Sequence, residues 1–302
     1  TLRLLLSGNP LGTITNGVLT VSLTDAAESV VMTQLAAANG GVTIDLQVNG
    51  VMERYSDVRE ISVDGRGGND SFRFVDITVA AQLSGGDGDD TVFASGIDNT
   101  WQITDSNSGS LNALGFTGIE NLTGAAGNQD TFTFTTLSTD GRSDVITIDS
   151  AGSGQNRISG TSGGVAFQSV AISNFLHFVI DTGTNDRPGS DQDTIVLSSS
   201  LVATGLQTLT IQTGPGNDSV DLGGLRLANA VAVTLALGAG TNSLKGPHAA
   251  TAWTLTAGAA GSLGSGTGTT VDFMQVNEIT SVNDNDSFAG ADLFTGTLTT
   301  FS

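Results

Sequence analysis

The chain has 302 residues, among them 41 glycines and no cysteine, and 30 acidic side chains against 10 basic ones leave a formal charge of −20. That charge argues against nucleic acid and anionic membrane as partners, since both need clustered Lys and Arg, and the missing thiols exclude disulfides and thiolate metal sites. No apolar run is long enough to span a bilayer. Hydrophobic residues make up 38 %, with phenylalanines in alternating runs such as "SFRFV" and "TFTFT", which argues against disorder. A cysteine-free chain rich in Asp, Gly, Asn and Thr suits an extracellular, bacterial-surface setting.

In chain order, "LRLLL" at 2–6 reads as a first strand. "TDAAESVVMTQLAAANGG" at 24–41 is the one stretch with helical propensity, but its "DAAES" falls 42 residues before Asp70, where a copy of a recurring loop would sit. A degenerate repeat is therefore expected there. The loop itself reads "GRGGNDSFRF" from Gly65, "GGDGDDTVF" from Gly85, "GAAGNQDTFTF" from Gly124, "GSDQDTIVL" from Gly189, "GPGNDSVDL" from Gly214, "GAGTNSLKG" from Gly238 and "VNDNDSF" from Val282. Its anchors are Asp70, Asp90, Asp130, Asp193, Asp218, Asn242 and Asp286. Short steps between anchors run from 20 to 25 residues, and the gaps of 40 and 44 read as two steps each.

A second signature, an aromatic followed at +3 and +6 by aliphatics, appears in "YSDVREIS" from Tyr55, "FTGIENLT" from Phe116 and "FMQVNEIT" from Phe273, and more loosely in "FLHFVIDT" from Phe175. Its β-branched, Thr and Asn content predicts a bent strand rather than a helix. Strands "WQIT" at Trp101 and "WTLT" at Trp253 recur at equivalent places, which points to packing rather than to ligand contact.

Strands joined by tight turns in one fixed phase predict an all-β fold, a parallel β-helix (β-solenoid) with rungs of about 20–25 residues. The chain is expected to form a single elongated rod of about four modules, approximately 1–94, 95–150, 151–245 and 246–302. Phe72, Phe132, Val220 and Phe288 would stack as an inward column, and Asn69, Asn128, Asn217 and Asn285 as ladders at the turns.

"GGDGDDTVF" at 85–93 matches every fixed position of the nine-residue calcium-binding repeat of the RTX (haemolysin-type) proteins, and "GRGGNDSFR" and "TGPGNDSVD" each miss one glycine. The chain thus resembles the repeat arrays of RTX-like and large bacterial surface-adhesin proteins. The resemblance implies a parallel β-roll or β-helix, a role in adhesion, surface coating or scaffolding, and a calcium role for Asp70, Asp87, Asp89, Asp90 and Asp218. RTX ions lie between tandem nonapeptides, however, and no two are adjacent here. Stacked Asp70 and Asp90 would repel by about 3 kcal/mol at an effective dielectric of 20, so a cation or hydrogen bonds must offset them. The alternative is that these carboxylates accept N–H bonds in Asx-turns.

Catalysis has little support, since His177 and His248 are isolated and no cysteine exists. β-Helix polysaccharide lyases or hydrolases are the remote alternative, with Arg54, Arg59, Arg66 and Arg73 near the acidic edge, where pairing with neighbouring carboxylates is the simpler role. The expected function is non-enzymatic: a structural segment of a secreted surface adhesin, sheath or fibre. Its expected partners are itself, end to end or laterally, or neighbouring repeats of a longer chain. A calcium-dependent module that binds glycans or a partner is the second expectation.

Overall fold

A computed structural model describes residues 10–38, 41–125, 127, 129–135, 143–186, 191–227, 230–264 and 268–300. The described residues are all-β apart from a single 3₁₀ turn at Gly183–Asn185. They fall into two compact units, one within residues 1–101 and 107–128 and the other within 102–106 and 129–302. The described strands form two sheets, one of 15 strands and one of 14, and in each unit the chain alternates between them. In the first unit Glu60–Asp64 and Ala80–Ser84 pair in parallel in one sheet, while Ser71–Val75 and Thr91–Phe93 pair in parallel in the other. The second unit repeats this, with His177–Asp181, Thr208–Gln212 and Ala232–Ala236 in the first sheet and Thr194–Leu197, Ser219–Asp221 and Ser243–Lys245 in the second.

Alternation along these short strands sends every second side chain inward. Because successive circuits pair in register, like positions stack. Val30, Phe72, Val92 and Leu122 form one buried column in the first unit. In the second unit Phe132, Phe178, Leu209, Val233 and Val271 line the first sheet, and Ile195, Val220, Leu244 and Ile279 line the second. Phe72 and Val220 are buried on strands of the 14-stranded sheet and Phe132 on a strand of the 15-stranded sheet, so the three do not form the single column expected from sequence. Phe288 is only half-buried, stacked on Trp253 at 5.6 Å.

The 24–41 stretch forms the strand Ser29–Ala38, in line with its place in the repeat. The aromatic signature proves to be one strand running into the next across a corner. Two residues after Tyr55, Phe116 and Phe273 the backbone turns left-handed, at Asp57 (φ 61°), Gly118 (φ 63°) and Gln275 (φ 62°). The +3 aliphatics Val58, Ile119 and Val276 then plug the corner interior, and Ile61, Leu122 and Ile279 enter the next sheet's core. Trp101 and Trp253 are buried, packed on Phe116 and Phe273 at 6.4 and 6.1 Å.

The long gaps have a different cause from the one expected. Each is one circuit enlarged by an antiparallel hairpin, followed by a crossing to the other sheet: Ser108–Leu111 lies antiparallel to Leu114–Thr117 between Asp90 and Asp130, and Ala260–Gly264 to both Ala252–Thr256 and Thr270–Met274 between Asn242 and Asp286, while Gly41–Val48 enlarges the circuit from Glu28 to Asp70 in the same way. Asp130 and Asp286 consequently head strands of the first sheet, whereas Asp70, Asp90, Asp193, Asp218 and Asn242 head strands of the second. Residues 2–6 and Asn128 lie outside the described residues.

Candidate metal centre

The residue immediately before each second-sheet strand repeats one contact. In the first unit the N–H of Glu28 donates to Asp70 Oδ1 (2.8 Å), that of Asp70 to Asp90 Oδ1 (2.7 Å) and that of Asp90 to Glu120 Oε2 (2.8 Å). In the second unit Asp144 donates to Asp193, Asp193 to Asp218, Asp218 to Asn242 and Asn242 to Asn277, at 2.8–2.9 Å. The carbonyl of each of these residues also accepts an N–H from the following circuit, as Asp70 O does from Thr91 and Asp218 O from Ser243. Each side chain therefore satisfies a buried backbone donor one circuit away, 20 to 49 residues distant in sequence.

The second oxygen varies. Where the fifth residue upstream is Thr or Ser, its hydroxyl donates: Thr213 to Asp218 Oδ2 (2.7 Å) and Ser281 to Asp286 Oδ2 (2.6 Å). Where it is Gly65 or Gly85, Asp70 Oδ2 and Asp90 Oδ2 are buried without a partner. Burial, with the neighbouring carboxylates adding to it, pushes Asp70 up to about 6 and also raises Asp90 and Glu120.

The five positions nominated from sequence are not brought together. Asp70, Asp90 and Asp218 are ladder residues, with Asp218 in the second unit. Asp87 and Asp89 are exposed, and their N–H groups donate to Arg66 O (2.7 Å) and Asn69 Oδ1 (3.2 Å). The glycines of this loop have a steric reason: a Cβ on Gly85 would lie 2.0 Å from Gly118 O, and one on Gly88 (φ +141°) would lie 2.1 Å from Gly68 O. The nearby arginines have varied partners. Arg54 forms a two-bond pair with Asp45 (2.6 and 2.8 Å), Arg66 bonds Ser22, and Arg73 lies over the Phe93 ring. Of the expected Asn ladders, Asn69 and Asn217 each accept one N–H from the next circuit.

The convergence of acids lies elsewhere, in the second unit. Asp186, Asp191 and Asp193 each present a carboxylate oxygen within 4.8 Å of the other two. They sit on an enlarged turn: eleven residues separate Thr182 from Asp193, against five from Thr213 to Asp218, although Thr182 and Thr213 both follow first-sheet strands and donate N–H to the next circuit. Asp193 is anchored by the ladder, and Asp191 by the hydrogen bond from Asn217 N–H to its carbonyl (3.2 Å). Asp186 follows the 3₁₀ turn. Glycines of the next circuit make the room, since a Cβ on Gly214 would lie 2.3 Å from Asp186 Oδ2 and one on Gly216 2.6 Å from Asp191 O.

The electrostatics are one-sided. Asp191 and Asp193 are 2 % and 1 % exposed, and Oδ2 of all three aspartates has no hydrogen-bond partner among the described residues. Burial first, with the mutual carboxylate charges adding to it, pushes Asp186 and Asp193 up to about 8, and at Asp193 the Thr182 hydroxyl and the Asp144 N–H offset part of the rise. At 4.8 Å and an effective dielectric of 20, each pair of charges repels by about 3 kcal/mol. Three such pairs rival the whole stability of an ordinary domain, of order 5–15 kcal/mol, so a proton or a cation must sit among them. Oxygens around one calcium ion at about 2.3–2.6 Å lie at most about 5 Å apart. The spacing and the all-oxygen donor set therefore fit a hard divalent cation, and lack the nitrogen or sulfur ligands that zinc and copper prefer.

The tetrapeptide "SDQD" supplies two of the three acids, neither of them with a ligand role expected from sequence. The legible signal was the turn's extra length together with its three acids, "TGTNDRPGSDQD". Comparison with family models, curated protein sequences and solved structures finds no match to the chain.

Proposed function

We propose that the chain is a parallel β-solenoid with a non-enzymatic structural role, an extracellular segment of a bacterial surface adhesin, sheath or fibre, fastened in its second unit by a calcium ion at Asp186, Asp191 and Asp193. The observation that carries this reading is the ladder. Buried carboxyl and carboxamide side chains are spent on joining one circuit to the next, a use that serves mechanical continuity. The RTX-like loop supports the extracellular setting, where millimolar calcium suits sites of modest affinity. Self-association is part of the proposal: the strands Ser287–Ala289 and Thr297–Thr299 stand at sheet edges, with no further partner strand among the described residues, and open edges take another strand.

The test is a circular-dichroism melt with millimolar calcium against excess chelator, on the wild type and on Asp186→Asn, which lies outside the ladder. At about a hundredfold excess over Kd, calcium adds about 2.7 kcal/mol, a rise in Tm of roughly 5–10 °C. Asp186→Asn should abolish most of that rise while leaving the calcium-free Tm unchanged or higher. A wild-type Tm indifferent to calcium would remove the ion from the proposal.

A further inference from the structure

On the second unit, the turns after Thr194–Leu197, Ser219–Asp221 and Ser243–Lys245 stack at intervals of 24 to 25 residues and enclose a groove of about 480 Å³. Ser198–Ser200, Gly223, Arg226 and His248 contribute to it, and among the described residues no carboxylate does, in a protein of charge −20. Arg226 is exposed and makes no ion pair with a described carboxylate. Asp221, whose Oδ1 lies 2.9 Å from the Cβ position of Gly223, is already engaged by Lys245 Nζ (2.8 Å) and Gly223 N–H (2.7 Å).

Two details shape what fits. His248 Nδ1 lies 2.6 Å from Gly223 O, a pure acceptor, so Nδ1 carries a hydrogen, and in the Nδ1–H tautomer Nε2 is an acceptor. His248 is held there by Asn283 Nδ2, which donates to its carbonyl (2.7 Å). The floor is kept open by glycine: a Cβ on Gly223 would meet the His248 ring at 2.9 Å, and one on Gly224 would lie 2.1 Å from the Ser198 carbonyl carbon. The groove thus offers one guanidinium fork for a carboxylate, an imidazole acceptor for a hydroxyl, acceptor lone pairs on Ser198 and Ser199, whose hydroxyls donate to Ile148 O and Ser200 O, and the Ser200 hydroxyl, which serves either way. A phosphate or sulfate has no use for these acceptors, and a neutral sugar leaves the guanidinium unused.

We propose that this groove binds an acidic saccharide, a hexuronate whose carboxylate pairs with Arg226 and whose ring hydroxyls donate to His248 Nε2 and bond Ser199 and Ser200. The volume lies within the usual range for small-ligand sites. The groove shares no residue with the aspartate cluster, so it stands or falls independently of the calcium site.

The experiment is calorimetric titration of the full chain, in calcium, with hyaluronan tetrasaccharide (glucuronate alternating with N-acetylglucosamine), with neutral tetraacetylchitotetraose and with inorganic sulfate. Saturable binding of the uronate probe is expected, at least tenfold tighter than either control. Arg226→Ala, an exposed substitution, should weaken it at least tenfold, His248→Ala severalfold, and Asp186→Asn not at all. Circular dichroism of each variant verifies the fold. No uronate binding at millimolar concentration, equal binding of sulfate, or full binding by Arg226→Ala would each overturn the proposal.

Discussion

One acceptor oxygen facing one backbone N–H is the unit on which each circuit closes. Asp supplies it at 70, 90, 193 and 218, Glu reaches the same place at 120, and Asn at 242 and 277 supplies it without charge. Asn242 also uses its Nδ2, which donates to the carbonyls of Leu237, Gly238 and Gln275. Asp90→Asn should therefore keep the acceptor, relieve repulsion with Asp70 and Glu120, and melt at or above the wild-type temperature at pH 7. Asp90→Ala leaves the buried Asp70 N–H unpaired and should cost about 1–3 kcal/mol in denaturant titration. The pH dependence follows from the same residues. Asp70, facing Glu28 and Asp90, holds its proton to about pH 6 in the folded chain, against about 3.9 unfolded. Between these values the folded state binds more protons, so the Asp70 contribution to stability falls as pH rises from about 4 to 6, and Asp186 and Asp193, raised to about 8, extend the decline beyond it. Melts across this range should show that decline, and Asp70→Asn should make it shallower between pH 4 and 6. The anchors were legible in sequence because a strand-heading Asp recurs. Their partners were not, since an Asx-turn and an inter-circuit bond need the same residue in the same place and differ only in where the N–H comes from.

Elements here are defined by their corners more than by strand propensity. The aromatic-aliphatic signature was readable as a bent strand, because Tyr55, Phe116 and Phe273 precede buried residues at +3 and +6. The left-handed residue between them was not, since Asp57, Gly118 and Gln275 share no side-chain type. Loop glycines separate into those fixed by close approach of circuits and those that are not. Gly88→Ala places a Cβ against Gly68 O at an unfavourable φ and should cost about 1–3 kcal/mol or more. Gly96 has nothing within 4 Å of its added Cβ, so Gly96→Ala should be neutral or slightly stabilising. Paired thermal melts of the two variants check this, and equal losses would contradict the steric origin of the glycine pattern. The glycines of the nonapeptide pattern at 85–93 thereby have a steric reason in the close approach of circuits.

For the molecule as a whole, a strand-turn repeat with an inward apolar face was legible from the 20- to 25-residue steps. The hairpin enlargements were not: an added antiparallel pair lengthens a circuit to 30, 35, 42 or 49 residues, and in sequence that length resembles two short steps. The same insensitivity hid the enlarged turn between Thr182 and Asp193, where insertion brought two further carboxylates beside a ladder aspartate. In a chain of charge −20, most acids are accommodated by solvent or by backbone donors. Asp186, Asp191 and Asp193 are the described group for which neither suffices. The central claim is that a divalent cation completes this turn, and anomalous scattering from crystals grown in calcium tests it most directly. A peak within about 2.6 Å of a carboxylate oxygen from each of these three residues is the expected result. Crystals with no peak there, or with density instead at Asp87 and Asp89, would contradict it.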